Sequence, residues 1–393
     1  MKFQIAPNID WVGKIDWELR KFHGEEYSTH RGSSYNSYLV RDEKTALIDT
    51  VWMPFADEFV ENLAAEIDLD RIDYVIANHA EMDHSGSLSR IIEEIKPKKV
   101  FASMMGVKAL KEHFGLDGIL PLKSGDALDL GNMQLTFMET RMLHWPDSMV
   151  SLLAGDNVLF SNDIFGMHLA SYERFADELS PEVLEQEAAK YYANIITPYS
   201  HLVLQFLSKV KALGLNPAVI ACDHGPVWRK DIGRLADWYG KWAKRDPQGK
   251  VVVLYDTMWG STERLANSLA EGAHSAGARV KVLPLHSSHR SDAATELLDA
   301  GALAVGSPTL NQNIFPTVAD AMTYIKGLKF KNLIGASFGS YGWSGDSVKQ
   351  LSALLKEMQV PETAALACQY VPSEDVAAQA FSIGVGLAQK LKG

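Results

Sequence analysis

Cysteine is almost missing from this chain: 393 residues contain two, Cys222 and Cys368. Two thiols cannot form a disulfide framework or a four-thiolate metal cluster. No apolar run approaches the roughly 20 residues a membrane helix needs. The opening Met1-Lys2-Phe3-Gln4-Ile5-Ala6-Pro7-Asn8 has no apolar signal core, so a cytoplasmic, reducing location is expected. Basic charge is also scarce. The net charge is −11, and no basic stripe suggests a nucleic-acid partner. Neither G-x-G-x-x-G nor a phosphate-loop lysine occurs, which argues against NAD and ATP. Repeats and low-complexity tracts are absent too.

The acidic excess lies in one part of the chain. Residues 1–249 hold 26 basic and 37 acidic side chains, whereas residues 250–393 hold 12 of each. Between Trp242 and Lys250 the chain is polar and contains Pro247 and Gly249, the composition of a boundary. Two domains are expected, 1–248 and 249–393. In the first, strand-like runs (Ser37 to Val40, Thr45 to Ile48, Tyr74 to Ala77, Val100 to Ala102) alternate with helical patterns (Phe55 to Glu66, Leu88 to Ile95, Met105 to His113). Further strands follow, then a helical stretch from Pro181 to about Leu213 and a short strand, Ala218 to Ala221. Sheets covered by helices on their outer faces suit this order. The second domain opens on Val251-Val252-Val253-Leu254-Tyr255, a continuous apolar run typical of a parallel strand buried on both faces. Strands and helices then alternate to the end, which reads as a doubly wound α/β domain.

The densest chemistry is in His79-Ala80-Glu81-Met82-Asp83-His84, where four of six residues are metal-ligand types directly after a strand. An extended chain would put His79, Glu81 and Asp83 on one side. Four ligands on one loop are too crowded for one ion and suit two ions close together. His144, Asp163 and His224 each follow a strand and complete a set of four imidazoles and three carboxylates. Asp163 is remote from both loops and is the natural bridge. Carboxylate-rich sets favour iron over zinc, with zinc the alternative.

This spacing resembles the binuclear site of the metallo-β-lactamase fold. Hydrolases of that fold have histidine at the second position; this chain has Glu81, as flavodiiron proteins do. Asp16-Trp17, Phe22-His23-Gly24, Thr140 to Met149 and Ser161 to Gly166 also look like that family. The resemblance spans essentially the whole chain. It implies an N-terminal metallo-β-lactamase-like αββα sandwich and a diiron centre: His79, Glu81 and His144 on one iron, Asp83, His84 and His224 on the other, and Asp163 between them. In some members the equivalent of His84 is displaced by water. His23 and Tyr192 match positions of the family that could donate protons or hydrogen bonds to the substrate, or serve only in packing.

In the second domain, Thr257-Met258-Trp259-Gly260-Ser261-Thr262 joins a strand to a helix, where hydroxyls and a helix N-terminus can receive a phosphate. Two more loops lie beyond strand ends, Pro308-Thr309-Leu310-Asn311-Gln312-Asn313 and Ser340-Tyr341-Gly342-Trp343-Ser344-Gly345. Together the three resemble flavodoxin and imply FMN. No Cys pairs remain for an attached rubredoxin domain, so an external carrier such as rubredoxin is expected to supply electrons. The family further implies reduction of O2 to water or of NO to N2O, and a head-to-tail homodimer or a dimer of dimers. A dizinc hydrolase with a flavodoxin-like module is the rival reading.

Overall fold

The structure is a computed structural model and describes residues 3–392. Contact density divides the chain into two compact units. One comprises residues up to Phe22, Thr29–Tyr191 and Tyr199–Gly240; the other comprises His23–Ser28, Tyr192–Pro198 and Lys241 onward. The main break thus falls a few residues before the expected 248/249 boundary, and two short segments of the first 200 residues pack with the second unit.

Two large sheets dominate the described residues of the first unit. The larger runs in the order β1 (Phe3–Ala6), β2 (Ile9–Trp11), β3 (Tyr38–Val40), β4 (Thr45–Ile48), β5 (Ile72–Ala77), β6 (Lys99–Ser103) and β7 (Leu120–Leu122). It is antiparallel as far as β4 and parallel from there on. The smaller runs β8 (Ala127–Asp129), β9 (Gln134–Glu139), β10 (Met149–Ala154), β11 (Val158–Asn162) and β12 (Val219–Cys222), with only the last pair parallel.

Alternation along the strands decides what packs where. Tyr38, Val40, Ala46, Ile48 and Ile76 meet Leu135, Phe137, Met149 and Phe160 of the other sheet in a shared core. Leu39, Leu47 and Val75 point the other way, onto helices α1 (Ala56–Ala64), α2 (Leu88–Ile95) and α3 (Met104–Phe114). The expected continuous helix from Pro181 is broken: α4 (Pro181–Tyr191) passes into a π-helical turn at Tyr192–Ile196 and a 3-10 turn at Thr197–Tyr199 before α5 (Ser200–Ala212). Pro198 has no N–H for the helical ladder, so an unbroken helix cannot pass through it. The chain leaves this unit through α6 (Gly233–Lys244), which sequence patterning did not reveal.

The second unit is one parallel sheet of β13 (Gln248–Tyr255), β14 (Arg279–Pro284), β15 (Ala300–Gly306), β16 (Ile334–Tyr341) and β17 (Glu362–Gln369), ordered β14-β13-β15-β16-β17. Val252, Leu254, Leu303 and Val305 face α8 (Arg290–Leu297), α9 (Pro316–Leu328) and α10 (Asp346–Glu357). Val251, Val253, Ala302 and Ala304 face α7 (Ser261–Ser275) and α11 (Glu374–Lys390). The order reverses beside β13, and a doubly wound sheet binds its ligand in the crevice at that switch point.

Helices α7 and α11 pack through glycine. A methyl group on Gly384 would lie 1.9 Å from the Leu269 carbonyl oxygen, and one on Gly272 would lie 2.0 Å from that of Phe381. Gly384→Ala should therefore lower stability by about 1–3 kcal/mol, the usual cost of overpacking. Urea denaturation followed by flavin fluorescence and far-ultraviolet dichroism checks this; an unchanged midpoint would mean that the helices separate freely.

Candidate metal centre and flavin pocket

Strand β5 ends at Ala77, and the next residues are tied down one after another. Asp49 accepts from the Asn78 N–H (2.7 Å) and from its side-chain amide (2.8 Å). Asp147 accepts from the Ala80 N–H (2.6 Å) and contacts His79 Nδ1 at 2.9 Å. The expected extended alternation stops at Glu81, because Met82–Ser85 is a helical turn. That turn separates Asp83 from His79 and Glu81 and sends it toward His84. Thr50 holds the far end, its N–H and Oγ1 both donating to the His84 carbonyl (2.9 and 2.6 Å).

All seven expected ligand residues are buried and fall into two groups. One is His79, Glu81, His144 and Asp163; the other is Asp83, His84 and His224. In the first, His144 Nε2 lies 3.1 Å from Glu81 Oε2 and 3.2 Å from Asp163 Oδ2, and His79 Nε2 lies 3.3 Å from that same Oδ2. In the second, Asp83 Oδ2 lies 3.1 Å from His224 Nε2 and 3.3 Å from His84 Nε2. The other oxygen of Asp163, Oδ1, reaches this group at 3.1 Å from His84 and 3.6 Å from His224. One carboxylate thus presents one oxygen to each group.

Nε2 is the inward nitrogen of all four histidines. Behind them, Asp147 backs His79, and the Ser34 carbonyl stands 2.7 Å from His224 Nδ1. Such contacts fix the tautomer that leaves Nε2 free to coordinate. Both oxygens of Asp83, both of Asp163 and both nitrogens of His84 are buried with no partner of hydrogen-bond geometry among the described residues. Buried groups of this kind are costly unless a cation satisfies them. The residues therefore fit two ions.

Without ions, His79, His84 and His144 take the cationic role. Burial alone would depress His144, but the Asp163 and Glu81 carboxylates raise it to about 9. Burial likewise opposes charge on His79, yet Asp147 and Glu81 hold it well above the usual histidine range. Asp163 is driven well below the carboxylate range despite its burial, chiefly by His84 and His144.

Several neighbours of the site carried no sequence signal as metal-site residues. The Tyr191 ring lies 6.0 Å from that of His224, and the His168 ring lies 4.7 Å from it. Trp145 stands edge-on to His79 at 5.2 Å. Asp147 and Asp223 sit beside expected ligands, and that adjacency is the one cue the sequence offers. Of the two residues expected to act on substrate, His23 and Tyr192 both belong to the second unit, where Tyr192 packs 5.3 Å from Trp242.

The flavin-type loops gather in the second unit. A cavity of about 840 Å³ opens at the ends of β13, β15 and β16. Of the expected residues it is lined by Met258, Trp259 and Ser261, by Pro308 to Gln312, and by Ser340 to Ser344. Tyr370 and Val371, beyond β17, complete it and were not expected. Thr257, Gly260, Thr262, Asn313 and Gly345 are not part of the lining. Thr257 Oγ1 accepts from the Gly260 N–H (3.0 Å), and Thr262 and Ser340 share a hydroxyl contact of 2.9 Å. Gly260 has φ +82° at the start of α7, a conformation that favours glycine. The lining carries no charged side chain, and the exposed Trp259 and Trp343 offer flat faces. Neutral hydroxyls, a helix N-terminus and aromatic walls fit a phosphate joined to a planar ring.

Comparison with known proteins agrees with both domain types. Residues 34–225 match the model of the ODP family beta lactamases, and residues 253–384 match flavodoxin. A nitric oxide reductase of Moorella thermoacetica is 40% identical over 391 residues, 98% of each chain. The chain belongs to the flavodiiron family. The solved rubredoxin oxygen:oxidoreductase of Desulfovibrio gigas superposes on this flavodiiron protein with TM-score 0.97 at 41% identity, covering 100% and 99% of the two chains. The flavodiiron protein of Giardia intestinalis gives 0.96 at 34%, covering 100% and 97%. The metallo-β-lactamase-like and flavodoxin-like architectures expected from the sequence are both present.

The raised histidine gives a pH signature. His144 titrates near 6.5 when unfolded and near 9 in the metal-free fold. Its contribution to stability is complete below about 6.5 and is lost as pH rises through about 9. Metal must displace that proton, so affinity should rise over the same window. Melting curves of chelator-treated protein, set beside metal competition titrations from pH 6.5 to 9, should move in opposite directions. Parallel movement would mean that His144 is neutral before metal binds.

Proposed function

We propose that this flavodiiron protein is an oxidoreductase that passes electrons from an external carrier through FMN to a diiron site, where O2 is reduced to water or NO to N2O. The observation that carries this reading is Asp163, with one oxygen in each of two ligand groups. The relatives named for nitric oxide reduction and for rubredoxin-linked oxygen reduction support it; a dizinc hydrolase has no such support. When bound, the iron pair supplies the electrons and Lewis acidity for gas reduction, and FMN feeds them.

The chain's own residues have separable tasks. His79, Glu81 and His144 would hold one ion and Asp83, His84 and His224 the other, and the Asp163 carboxylate would offset the repulsion between them. Asp147 and Ser34 set the tautomers of His79 and His224. Ser261, Thr262 and the N-terminus of α7 take the flavin phosphate, with Thr257 and Gly260 shaping the turn. The family resemblance alone carries the reading of His23 and Tyr192 as hydrogen-bond or proton donors to the substrate, against a role in packing only. We place metal chemistry in residues 1–248 and flavin chemistry in 249–393, with 23–28 and 192–198 packing with the latter. The family reading extends to a small carrier of the rubredoxin type, a head-to-tail homodimer and a cytoplasmic location; no helix among the described residues is long and apolar enough to cross a membrane.

Purified protein should release FMN on acid extraction and contain two iron atoms per chain, in excess of zinc. Anaerobic stopped-flow of the reduced protein against O2 and against NO then assigns the substrate. His23→Ala and Tyr192→Phe should slow the faster of the two reactions at unchanged iron content. Stoichiometric zinc in protein grown with ample iron would overturn the diiron reading. Asp163→Asn should lose metal from both groups and keep its flavin spectrum; full iron retention would remove Asp163 from the bridge.

A further inference from the structure

His84 differs from His79 and His224. His79 is backed by Asp147 and His224 by the Ser34 carbonyl, at hydrogen-bond distance. Neither nitrogen of His84 has a partner of hydrogen-bond geometry among the described residues. Behind its ring stands Asp223, with Oδ2 3.6 Å from Nδ1, too far for a hydrogen bond. Both side chains are fully buried. Neither oxygen of Asp223 has a hydrogen-bond partner among the described residues. Two complementary buried groups therefore face one another, each unsatisfied.

Their backbones leave little freedom. Thr50 holds the His84 carbonyl through two hydrogen bonds. Asp223 donates its N–H to the Asn162 carbonyl (3.1 Å) and accepts at its own carbonyl from the Asn36 N–H (2.8 Å). The nearby carboxylate of Asp49 is already committed to Asn78 through both oxygens. Meanwhile His84 Nε2 lies 3.1 Å from Asp163 Oδ1 and 3.3 Å from Asp83 Oδ2, so the ring points into the second ligand group.

We propose that Asp223 is the positioning residue for His84. A small closure lets Nδ1–H donate to its carboxylate, which fixes the tautomer that leaves Nε2 for the second metal ion. A cation at Nε2 makes Nδ1–H a stronger donor, so metal binding and this hydrogen bond reinforce one another. Asp223 thereby keeps His84 inward, against rotation of the ring and replacement by water. This inference rests on the two-metal reading of the centre.

Co²⁺ titrated anaerobically into chelator-stripped, FMN-loaded protein tests it. Chelator competition gives the two affinities, visible d–d bands report the ligand set, and proton spectra in water show shifted ring N–H signals of coordinated histidines. Wild type should take two ions. Asp223→Ala should keep the first site, weaken the second about 10–100-fold, the usual effect of removing such a partner, and lose one shifted N–H signal. In Asp223→Asn that signal should persist at a new position, because its acceptor changes from carboxylate to amide. Wild-type affinity and spectra in Asp223→Ala would overturn the proposal. Should Asp223→Ala fail to retain FMN and fold, an unmoved signal in Asp223→Asn would overturn it. Failure of wild type to take two ions would instead remove the two-metal reading itself.

Discussion

Asp163 sits at the end of a buried strand and divides its two oxygens between two sets of ligands, and that constraint shapes the surrounding loops. A carboxylate with no exposure needs hydrogen bonds or positive charge around it, and imidazole nitrogens stand beside both oxygens of this one. Four imidazoles and two further carboxylates supply the remaining ligands: four of the six come from the loop after β5, and His144 and His224 come from the loops after β9 and β12, all to the correct depth. Hence the hydrogen bonds of Asp49 to Asn78, Asp147 to Ala80 and Thr50 to His84: they hold backbone rather than ligand atoms. Gly225, with φ +77° directly after His224, belongs to the same set of devices. A side chain there would strike the backbone of Met167.

Much of this could be read from the chain because metal ligands cluster in sequence when they share a loop. His79, Glu81, Asp83 and His84 announced themselves; His144, Asp163 and His224 were found by their positions after strands. What stayed hidden was the shell behind them. Asp147 and Ser34 back His79 and His224 through one contact to each ring, and beyond the closeness of Asp147 and Asp223 to ligands nothing in the local sequence distinguishes the three from ordinary loop residues. The extended reading of Met82 and Asp83 failed because period-two alternation holds only while the strand lasts. Apolar runs did locate β3, β4 and β13, where burial on both sides leaves little choice of residue. The helical reading of Pro181 to Leu213 missed a π turn, which depends on tertiary packing rather than on composition.

The two centres solve opposite electrostatic problems. The metal groups concentrate charge in a dry interior and require counter-charge of opposite sign. The flavin cavity has an uncharged lining and relies on hydroxyls, backbone and a helix end. An anion held by dipoles alone is less sensitive to the titration of neighbours, while flat aromatic walls accept a ring without committing a hydrogen bond. The formal charges of the two halves of the sequence, −11 and zero, follow the same division.

The second unit is discontinuous in sequence. Ser28 Oγ lies 2.9 Å from Ser291 Oγ, and Tyr324 donates to Asn194 Oδ1 at 2.8 Å, so residues made early in synthesis pack with those made late. A ribosome that has finished the first 200 residues has already produced two pieces of a unit whose sheet does not yet exist. Those pieces wait for the last strands, and a gene fragment beginning at β13 would encode a sheet without them. Recombination at the apparent boundary would therefore exchange sheets but not whole units, which binds the inheritance of the two halves together.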